Sequence, residues 1–549
     1  MNPARSIALL NQSVAAELQA VHQYMYFHMH LDDQGFAPLA TLFKRTANVE
    51  MATWKRSPSA SSSSKATGRC PPSNLDFITI RGRPPHRERL TIIKVSREAF
   101  MERRDFLAAT AWTALSASRV LGANDRVVVG LIGCGGRGRQ VMRGLLLAPN
   151  TELLATCDVY DPNAERASKD LAGGHAKTLR DFRRLLEIQE VDAIMVSTPD
   201  HWHSIATVLG LEAGKHVYVE KPFALTIREG RAMVEAARRT KRILYPGTQH
   251  RSAPHIAEAA RMVQSGEIGD VSLVRVWNSG NIAPNVQQKV PDSDPPSGLD
   301  WDFYLGPSPR APFNRMRFLT NYRVFSDYAG GYITDFGNHR VDSVHQIMGV
   351  SSPHTISAVG RRLCPANAGD IFDLHVVTYQ YPGFIMEYVA SWVNSNGIGG
   401  RSPGMRYYGM RGLYNRPHGF AFYGTKAALY VDRIGYEVFP EPEPGAPYAA
   451  APADESGIKY RAERKTFQGA DATAEHAQNF VKQLRTGTKG AVDEMVGHTA
   501  TAACHLGTIA AKVNRTLHWN AEKEDFENDA EASRLLTREL RKPYDLIRI

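Results

Sequence analysis

Short apolar runs alternate with predicted helices from about residue 124 onward, and this alternation is the main structural signal of the chain. The runs VVVGLIG, ELLATC, AIMVS, HVYV and RILYP are only four to seven residues long. Short, continuously apolar runs of this kind are typical of strands buried on both faces. Strands alternating with helices predict an α/β domain over residues 124–250, built as a doubly wound, Rossmann-type parallel sheet.

The pattern changes after about Gly269, where longer strand-like segments follow one another. They predict an α+β domain with a mostly antiparallel sheet over residues 251–549, whose C-terminal helices return to the first domain. A Pro/Gly-rich stretch at 295–314 interrupts the strands. Long irregular segments in compact domains often serve as lids or interface arms, so we expect one of these roles for it.

The first 123 residues differ from both domains. Residues 1–56 carry apolar positions at helical spacing and predict a helical hairpin, which is half of a bundle. Residues 57–123 combine a Ser/Pro- and Arg/Pro-rich linker, predicted to be disordered, with a signal-like segment.

The net charge of +10 does not indicate a nucleic-acid partner. Between Lys55 and Asp105 there are 12 basic and 5 acidic residues, so most of the excess lies in the predicted linker. The five cysteines lack paired spacing and predict neither a disulfide framework nor a metal site. No apolar run reaches about 18 residues, so no membrane span is predicted.

Candidate chemistry begins at the end of the first predicted strand. There the chain shows Gly-x-Gly-x-x-Gly, the pattern of a turn that holds a dinucleotide pyrophosphate at a helix N-terminus. The predicted cofactor-binding residues of this loop are Gly133, Gly135, Gly136, Arg137 and Gly138.

Asp158 ends the second predicted strand, 20 residues after Gly138. A carboxylate at this place accepts hydrogen bonds from the adenosine ribose and repels a 2′-phosphate. We therefore predict NAD as the cofactor. NADP stays open, because Arg137 could reach a phosphate.

More polar residues follow the later strands, where ligands bind in open parallel sheets. They complete the predicted cofactor and catalytic set at Thr198, Pro199, His203, Glu220, Lys221 and Gln249. A partly desolvated lysine gives up its proton more readily than a solvated one, which suits Lys221 to acid–base work. Further along, Asp335 and His339 stand four residues apart and would share one face of a helix.

The motifs GCGGRG, STPDHWHS and VEKP, with the later Asp-x-x-x-His, resemble the glucose–fructose oxidoreductase, inositol dehydrogenase and rhizopine-catabolism (Gfo/Idh/MocA) family over roughly residues 125–545. The resemblance implies that Lys221 is catalytic and that Glu220 contacts the nicotinamide ribose. It also implies that Asp335 binds and orients the substrate while His339 exchanges the hydroxyl proton. Asp342 and His345 are expected either to support these site residues from behind or to be structural.

The resemblance implies an NAD(P)-dependent oxidoreductase acting on a secondary hydroxyl of a sugar or polyol. Two alternatives stay open: an NAD-dependent glycosidase that oxidises its substrate transiently, and a non-catalytic nucleotide-binding protein. Relatives often associate through the open sheet of the second domain, which makes this sheet a candidate interface for a homo-oligomer and leaves the oligomeric state open.

Two further resemblances concern the first 123 residues. Residues 1–56 are similar to the first two helices of a bacterioferritin-like ferritin: Glu17 and Glu50 match iron ligands, but Thr53 replaces the expected histidine. Without the other two helices, we expect no iron site. The stretch after Met101, with Arg103-Arg104, resembles a twin-arginine export signal. If translation starts at Met101, a periplasmic enzyme is expected; if the whole chain is the product, a cytoplasmic one.

Overall fold

Six parallel strands form the sheet of the first domain, in the order β3-β2-β1-β4-β5-β6. Their bounds are β1 Val127–Ile132, β2 Thr151–Cys157, β3 Lys177–Leu179, β4 Ala193–Val196, β5 His216–Val219 and β6 Leu244–Pro246. The strand order reverses between β1 and β4, so a crevice opens at their carboxyl ends. The predicted Rossmann-type sheet is confirmed.

The computed structural model describes residues 126–281, 288–364, 366, 368–395, 418–444, 459–487, 490 and 492–544. The predicted helical hairpin of residues 1–56, with Glu17, Glu50 and Thr53, lies outside the described residues. So do the linker and the Arg103-Arg104 segment.

The helices of the first domain connect its strands. They are α1 Gly136–Leu145, α2 Asp161–Ala172, α3 Phe182–Leu186, α4 His203–Glu212 and α5 Ile227–Thr240. Helix α1 begins directly in the glycine loop. Gly135 caps it in an extended conformation without any side-chain hydrogen bond, so the N–H groups of the first turn remain available to an anion.

The second domain is built on a large mixed sheet in the order β15-β14-β13-β12-β7-β10-β9-β8-β16-β17, with β11 paired to β7. Among the described strands of this second sheet, only the β7–β10 pair is parallel, so the predicted mostly antiparallel sheet is confirmed. The strands are β7 Val271–Asn281, β8 Thr355–Arg361, β9 Leu374–Tyr381, β10 Phe384–Ser391, β11 Val393–Asn394, β12 His418–Gly424, β13 Ala427–Asp432, β14 Gly435–Pro440, β15 Lys465–Gln468, β16 Leu517–Asn520 and β17 Asp525–Phe526.

Alternating side chains give this sheet one buried face. In β9, Val377 and Tyr379 are fully buried, whereas Val376, the residue before them on the opposite face, is 40% exposed. Alternation places every second side chain of a strand on the same side of the sheet. The side buried in this way packs against helices of the second domain. The helices that follow the first domain are α6 Pro254–Gln264, α7 Trp301–Leu305, α8 Tyr332–Asp335, α9 Gly337–Met348, α10 Thr473–Thr486, α11 Glu494–Val513 and α12 Ala530–Arg534.

Two C-terminal helices contact the first domain. On α10, the ring of Phe480 lies 5.7 Å from that of Tyr218 and 5.4 Å from that of Tyr245. On α11, Thr501 accepts a hydrogen bond from the backbone N–H of Phe223, two residues after Lys221. The long helix α11 therefore supports the loop that follows β5.

The irregular segment at 295–325 lies against the end of β2. The backbone N–H of Asp161 donates to Gly298 at 3.0 Å, and that of Asp300 donates to Val159 at 2.9 Å. The rings of Tyr160 and Phe318 meet edge to face at 5.5 Å. The segment thus brings aromatic side chains of the second domain over the crevice of the first.

Within the described ranges, no helix is long and apolar enough to cross a membrane. In the same ranges, no group of three or more His, Cys, Asp or Glu side chains could hold a metal ion.

Candidate active site

The glycine loop has two positions that accept no side chain and two that face open space. Gly133 has a φ of +86°, and a Cβ on it would lie 2.6 Å from the backbone of Ser197. A Cβ on Gly138 would lie 2.3 Å from the carbonyl oxygen of Gly133. At Gly135 and Gly136 a Cβ would meet nothing within 4 Å. The loop is therefore packed tightly beneath and open above, as a pyrophosphate cradle requires.

Asp158 holds this loop in place from the end of β2. Its carboxylate accepts the backbone N–H groups of Cys134 at 2.8 Å and Tyr160 at 2.9 Å, and the side-chain amide of Asn163 at 3.3 Å. Burial raises the pKa of Asp158, and these hydrogen bonds oppose the rise. The residue lines the crevice together with Gly135 and Gly138.

Arg137 points along the loop toward β5 and pairs with Glu220. Its Nε donates to Glu220 Oε1 at 3.1 Å, and its Nη1 donates to Thr473 Oγ1 at 3.3 Å. The sequence left Arg137 available for a 2′-phosphate; in the structure its guanidinium is instead engaged by Glu220, which is 4% exposed.

Thr198 and Pro199 follow β4 and line the crevice, as expected of residues at a strand end. His203 does not present a ring nitrogen to this crevice. Its Nδ1 lies 2.7 Å from the carbonyl oxygen of Pro222, and its Nε2 lies 2.9 Å from that of Thr198. Because His203 is the first residue of α4, its ring lies between the segments that follow β4 and β5.

Gln249 begins a short 3-10 helix, Gln249–Ser252, after β6. In the amide orientation that satisfies both neighbours, its side-chain NH₂ donates to the carbonyl oxygen of Gly247 at 2.9 Å. Its side-chain oxygen accepts from Arg433 Nη2 at 3.0 Å. Arg433 in turn lies 2.8 Å from a carboxylate oxygen of Asp471. Gln249 therefore links the end of β6 to the second domain.

Lys221 and Asp335 meet at the centre of the site. Lys221 Nζ donates to Asp335 Oδ1 at 2.6 Å and to its carbonyl oxygen at 2.8 Å. Arg323 Nε donates to the other carboxylate oxygen at 2.9 Å. Burial would raise the pKa of Asp335, but the charges of Lys221 and Arg323 hold it at about 2. The carboxylate is thus ionised at every physiological pH.

Asp335 and His339 do not share a continuous helix, which corrects the sequence expectation. Helix α8 ends at Asp335, and α9 begins at Gly337, with Phe336 between them. A Cβ on Gly337 would lie 2.6 Å from the hydroxyl of Tyr388, so close packing against β10 accompanies the break.

His339 is 7% exposed and stacks on His250, with ring centroids 4.9 Å apart. Its Nδ1 has no hydrogen-bond partner among the described residues. Burial lowers the pKa of His339 well below its usual value, and the nearby charge of Lys221 lowers it further. The ring is therefore neutral at physiological pH, with one ring nitrogen unprotonated.

Three further residues of this cluster were not predicted from the sequence. Arg323 pairs with Asp335 as described, and Tyr322 donates to Asp200 Oδ1 at 3.4 Å. Burial raises the pKa of Asp200 to about 6, and the charge of Asp335 adds to the rise. Asp200 directly follows Thr198-Pro199 at a strand end, and this position in the sequence could have predicted it as a site residue. Tyr322 and Arg323 lie in an irregular stretch of sequence, where no pattern predicts a place in the site.

Two neighbours expected to be structural are held by other groups. Asp342 accepts from Arg251 Nε at 2.7 Å. His345 Nε2 lies 2.8 Å from the hydroxyl of Tyr381.

The residues of the crevice fit NAD. The open loop at Gly135 and Gly136 leaves N–H groups for a pyrophosphate, and Asp158 lies where the ribose would be held. Thr198 lines the same crevice, and its buried hydroxyl has no partner among the described residues. Aromatic side chains of Phe303 and Phe318 complete the apolar wall.

Comparisons with known proteins agree with this geometry. Residues 127–248 match the oxidoreductase family with an NAD-binding Rossmann fold (GFO_IDH_MocA), and residues 269–381 and 461–546 match the C-terminal α/β domain of the same family. Residues 7–56 match a ferritin-like domain.

Two curated relatives share part of the chain. A "Glycosyl hydrolase family 109 protein" of Saccharopolyspora erythraea is 31% identical over 156 residues, which cover 27% of this chain and 34% of the relative. The 1,5-anhydro-D-fructose reductase of Ensifer adhaerens is 32% identical over 161 residues, which cover 29% of this chain and 47% of the relative. The chain thus spans less than half the length of either relative.

Among solved structures, levoglucosan dehydrogenase in complex with NADH and levoglucosan superposes with a TM-score of 0.53 at 16% identity. The superposition covers 72% of this chain and 99% of that one, and at this identity it supports the fold alone. The two matching family models show that the chain is a member of the Gfo/Idh/MocA family of oxidoreductases and carries that family's NAD-binding Rossmann domain.

Proposed function

We propose that the protein is an NAD-dependent dehydrogenase or reductase acting on a secondary hydroxyl of a sugar or polyol. The observation that carries the proposal is the cluster at the carboxyl end of β5. There a lysine ammonium lies 2.6 Å from an ionised carboxylate, beside a buried neutral histidine. The names of the sugar-related relatives favour the same substrate class.

The chain's own groups suffice for the proton chemistry. In the oxidative direction, the ammonium of Lys221 binds the oxygen of the substrate hydroxyl and stabilises the negative charge that develops on it. A ring nitrogen of His339 accepts the hydroxyl proton, because the ring is neutral. Asp335, held also by Arg323, keeps the lysine in position.

NAD, when bound, takes up or returns the hydride. The glycine loop and Asp158 would hold its adenosine and pyrophosphate, and Glu220 would contact its nicotinamide ribose. Holding both reactants in one crevice contributes much of the rate enhancement, because the reacting atoms are oriented before reaction.

The test compares two lysines at opposite ends of β5. Lys221→Ala should still bind NAD but lose turnover by about a hundredfold or more, measured as NADH formation with a panel of sugars and polyols. The control is Lys215→Met, since Lys215 precedes the strand and donates to the carbonyl oxygen of Ile188; it should keep its turnover. Undiminished turnover in Lys221→Ala would contradict the proposal.

A second candidate is glycoside hydrolysis through transient oxidation, favoured by the relative named as a glycosyl hydrolase. The two candidate functions differ in their net redox change, since the glycosidase returns its NAD to the starting state whereas the dehydrogenase does not. Release of the chromophore from nitrophenyl glycosides without added NAD, and with no net NADH formed, would favour the glycosidase. A dehydrogenase would instead consume NAD in proportion to its product.

A further inference from the structure

His203 makes an unusual pair of hydrogen bonds. Both of its ring nitrogens lie within 2.9 Å of backbone carbonyl oxygens, Nδ1 on Pro222 and Nε2 on Thr198. The side chain is 1% exposed. A carbonyl oxygen only accepts hydrogen bonds, so each contact requires a proton on the nitrogen concerned.

A neutral imidazole carries one ring proton, and only the imidazolium carries two. We infer that His203 is a positively charged positioning residue, protonated on both ring nitrogens, which ties the end of β4 to the segment that follows Lys221. In this role the ring bridges two neighbouring strand ends at the floor of the site. The positioning part of the inference rests on the proposed role of Lys221.

The charge on a ring this deeply buried needs a partner. His203 is the first residue of α4, where the helix dipole disfavours a cation. Asp200, three residues earlier and 4% exposed, supplies a carboxylate nearby, and the charge of His203 opposes the rise that burial causes in the pKa of Asp200.

Other charged groups surround the same carboxylate. Asp200 also interacts with Asp335, Arg323 and Lys221. The positive charge of His203 thus belongs to a cluster in which two carboxylates balance the cations of the site. Loss of the second ring proton would free one of the two carbonyl oxygens and shift this balance.

Two other buried histidines show the ordinary arrangement. His201 Nε2 lies 2.9 Å from the carbonyl oxygen of Tyr304, and its Nδ1 has no partner among the described residues. His505 Nε2 contacts the carbonyl oxygen of Ala224 at 3.0 Å. Burial lowers the pKa of His201 to about 3 and that of His505 to about 4, so both rings are neutral and serve as internal references.

The protonation state is tested directly on the wild-type protein labelled with ¹⁵N-histidine. Near neutral pH, NMR should show two protonated ring nitrogens for His203, assigned by the signal missing from His203→Gln. His201 and His505 should each show one protonated and one unprotonated nitrogen. An unprotonated nitrogen on His203 would overturn the inference, whatever the enzymatic activity proves to be.

The positioning role is tested by kinetics. His203→Gln keeps one donor group, and we expect kcat to fall by about tenfold or more, with a smaller change in KM, because Lys221 is displaced. The matched control, His505→Gln, should keep its kcat. A wild-type kcat in His203→Gln would refute the positioning role. If the wild-type protein oxidises no sugar or polyol, the proposed function fails, whereas the NMR result still decides the charge of His203.

Discussion

At the scale of single residues, the site depends on one carboxylate held between two cations. Asp335 binds Lys221 through one oxygen and Arg323 through the other. Its side chain is only 10% exposed, so removing its charge leaves two cations without their common partner. In buried ion pairs this loss costs more than the pair itself contributes.

We therefore predict that Asp335→Asn lowers both kcat and the melting temperature. The ammonium of Lys221 would keep its bond to the backbone carbonyl but lose the carboxylate that orients it. Asp342→Asn is the matched control, since Asp342 is also a buried carboxylate and is paired with Arg251. It should lower the melting temperature with little change in kcat, and equal losses of kcat in the two variants would contradict the specific role of Asp335.

How far the sequence predicted these residues depends on what fixes their positions. Lys221 and Asp335 lie in motifs, and the fold brings them together. Arg323 stands 12 residues before Asp335 in a 3-10 helix, Leu319–Val324, where no periodic pattern indicates which way a side chain points. The pairing of Arg137 with Glu220 spans 83 residues, and only the packed fold determines it.

At the scale of elements, the glycine loop was predictable because its requirements are local. Gly133 needs a positive φ and Gly138 needs contact with the preceding turn, and both requirements appear as glycine in the sequence. The interruption between α8 and α9 was not predictable in this way. A spacing of four residues is the same in one helix as in two, and the break accompanies packing of Gly337 against Tyr388.

Two alanine substitutions separate the packing of the loop from its binding role. Gly138→Ala should lower the melting temperature and abolish NAD binding, because its Cβ would press on the carbonyl oxygen of Gly133. Gly136→Ala should leave the melting temperature near that of the wild type, because its Cβ meets no protein atom within 4 Å. If the pyrophosphate occupies that open space, Gly136→Ala should nevertheless bind NAD more weakly than the wild type does. Calorimetry and NAD titration measure both effects, and wild-type NAD binding by Gly136→Ala would show that the phosphates lie elsewhere.

At the scale of the whole molecule, buried histidines link stability to pH. Burial lowers the pKa of five of them to about 3 or 4; these are His201, His345, His375, His476 and His505. In the unfolded chain each would titrate near its ordinary value of about 6.5. Between these values the unfolded state binds protons that the folded state does not. The free energy of unfolding should therefore be greatest above about pH 6.5 and fall as the pH decreases toward 4.

His375 allows this prediction to be tested one proton at a time. Neither of its ring nitrogens has a hydrogen-bond partner among the described residues, and its ring meets Phe372 edge to face at 5.4 Å. His375→Phe should keep that contact and remove one titrating group without breaking a hydrogen bond. Each such group contributes about 1.4 kcal/mol per pH unit, so the variant should gain stability over the wild type by about 2 kcal/mol between pH 7 and pH 5. Urea unfolding at several pH values measures the difference. Parallel curves for the two proteins would mean that the imidazole of His375 is already protonated in the fold, or is neutral in both states.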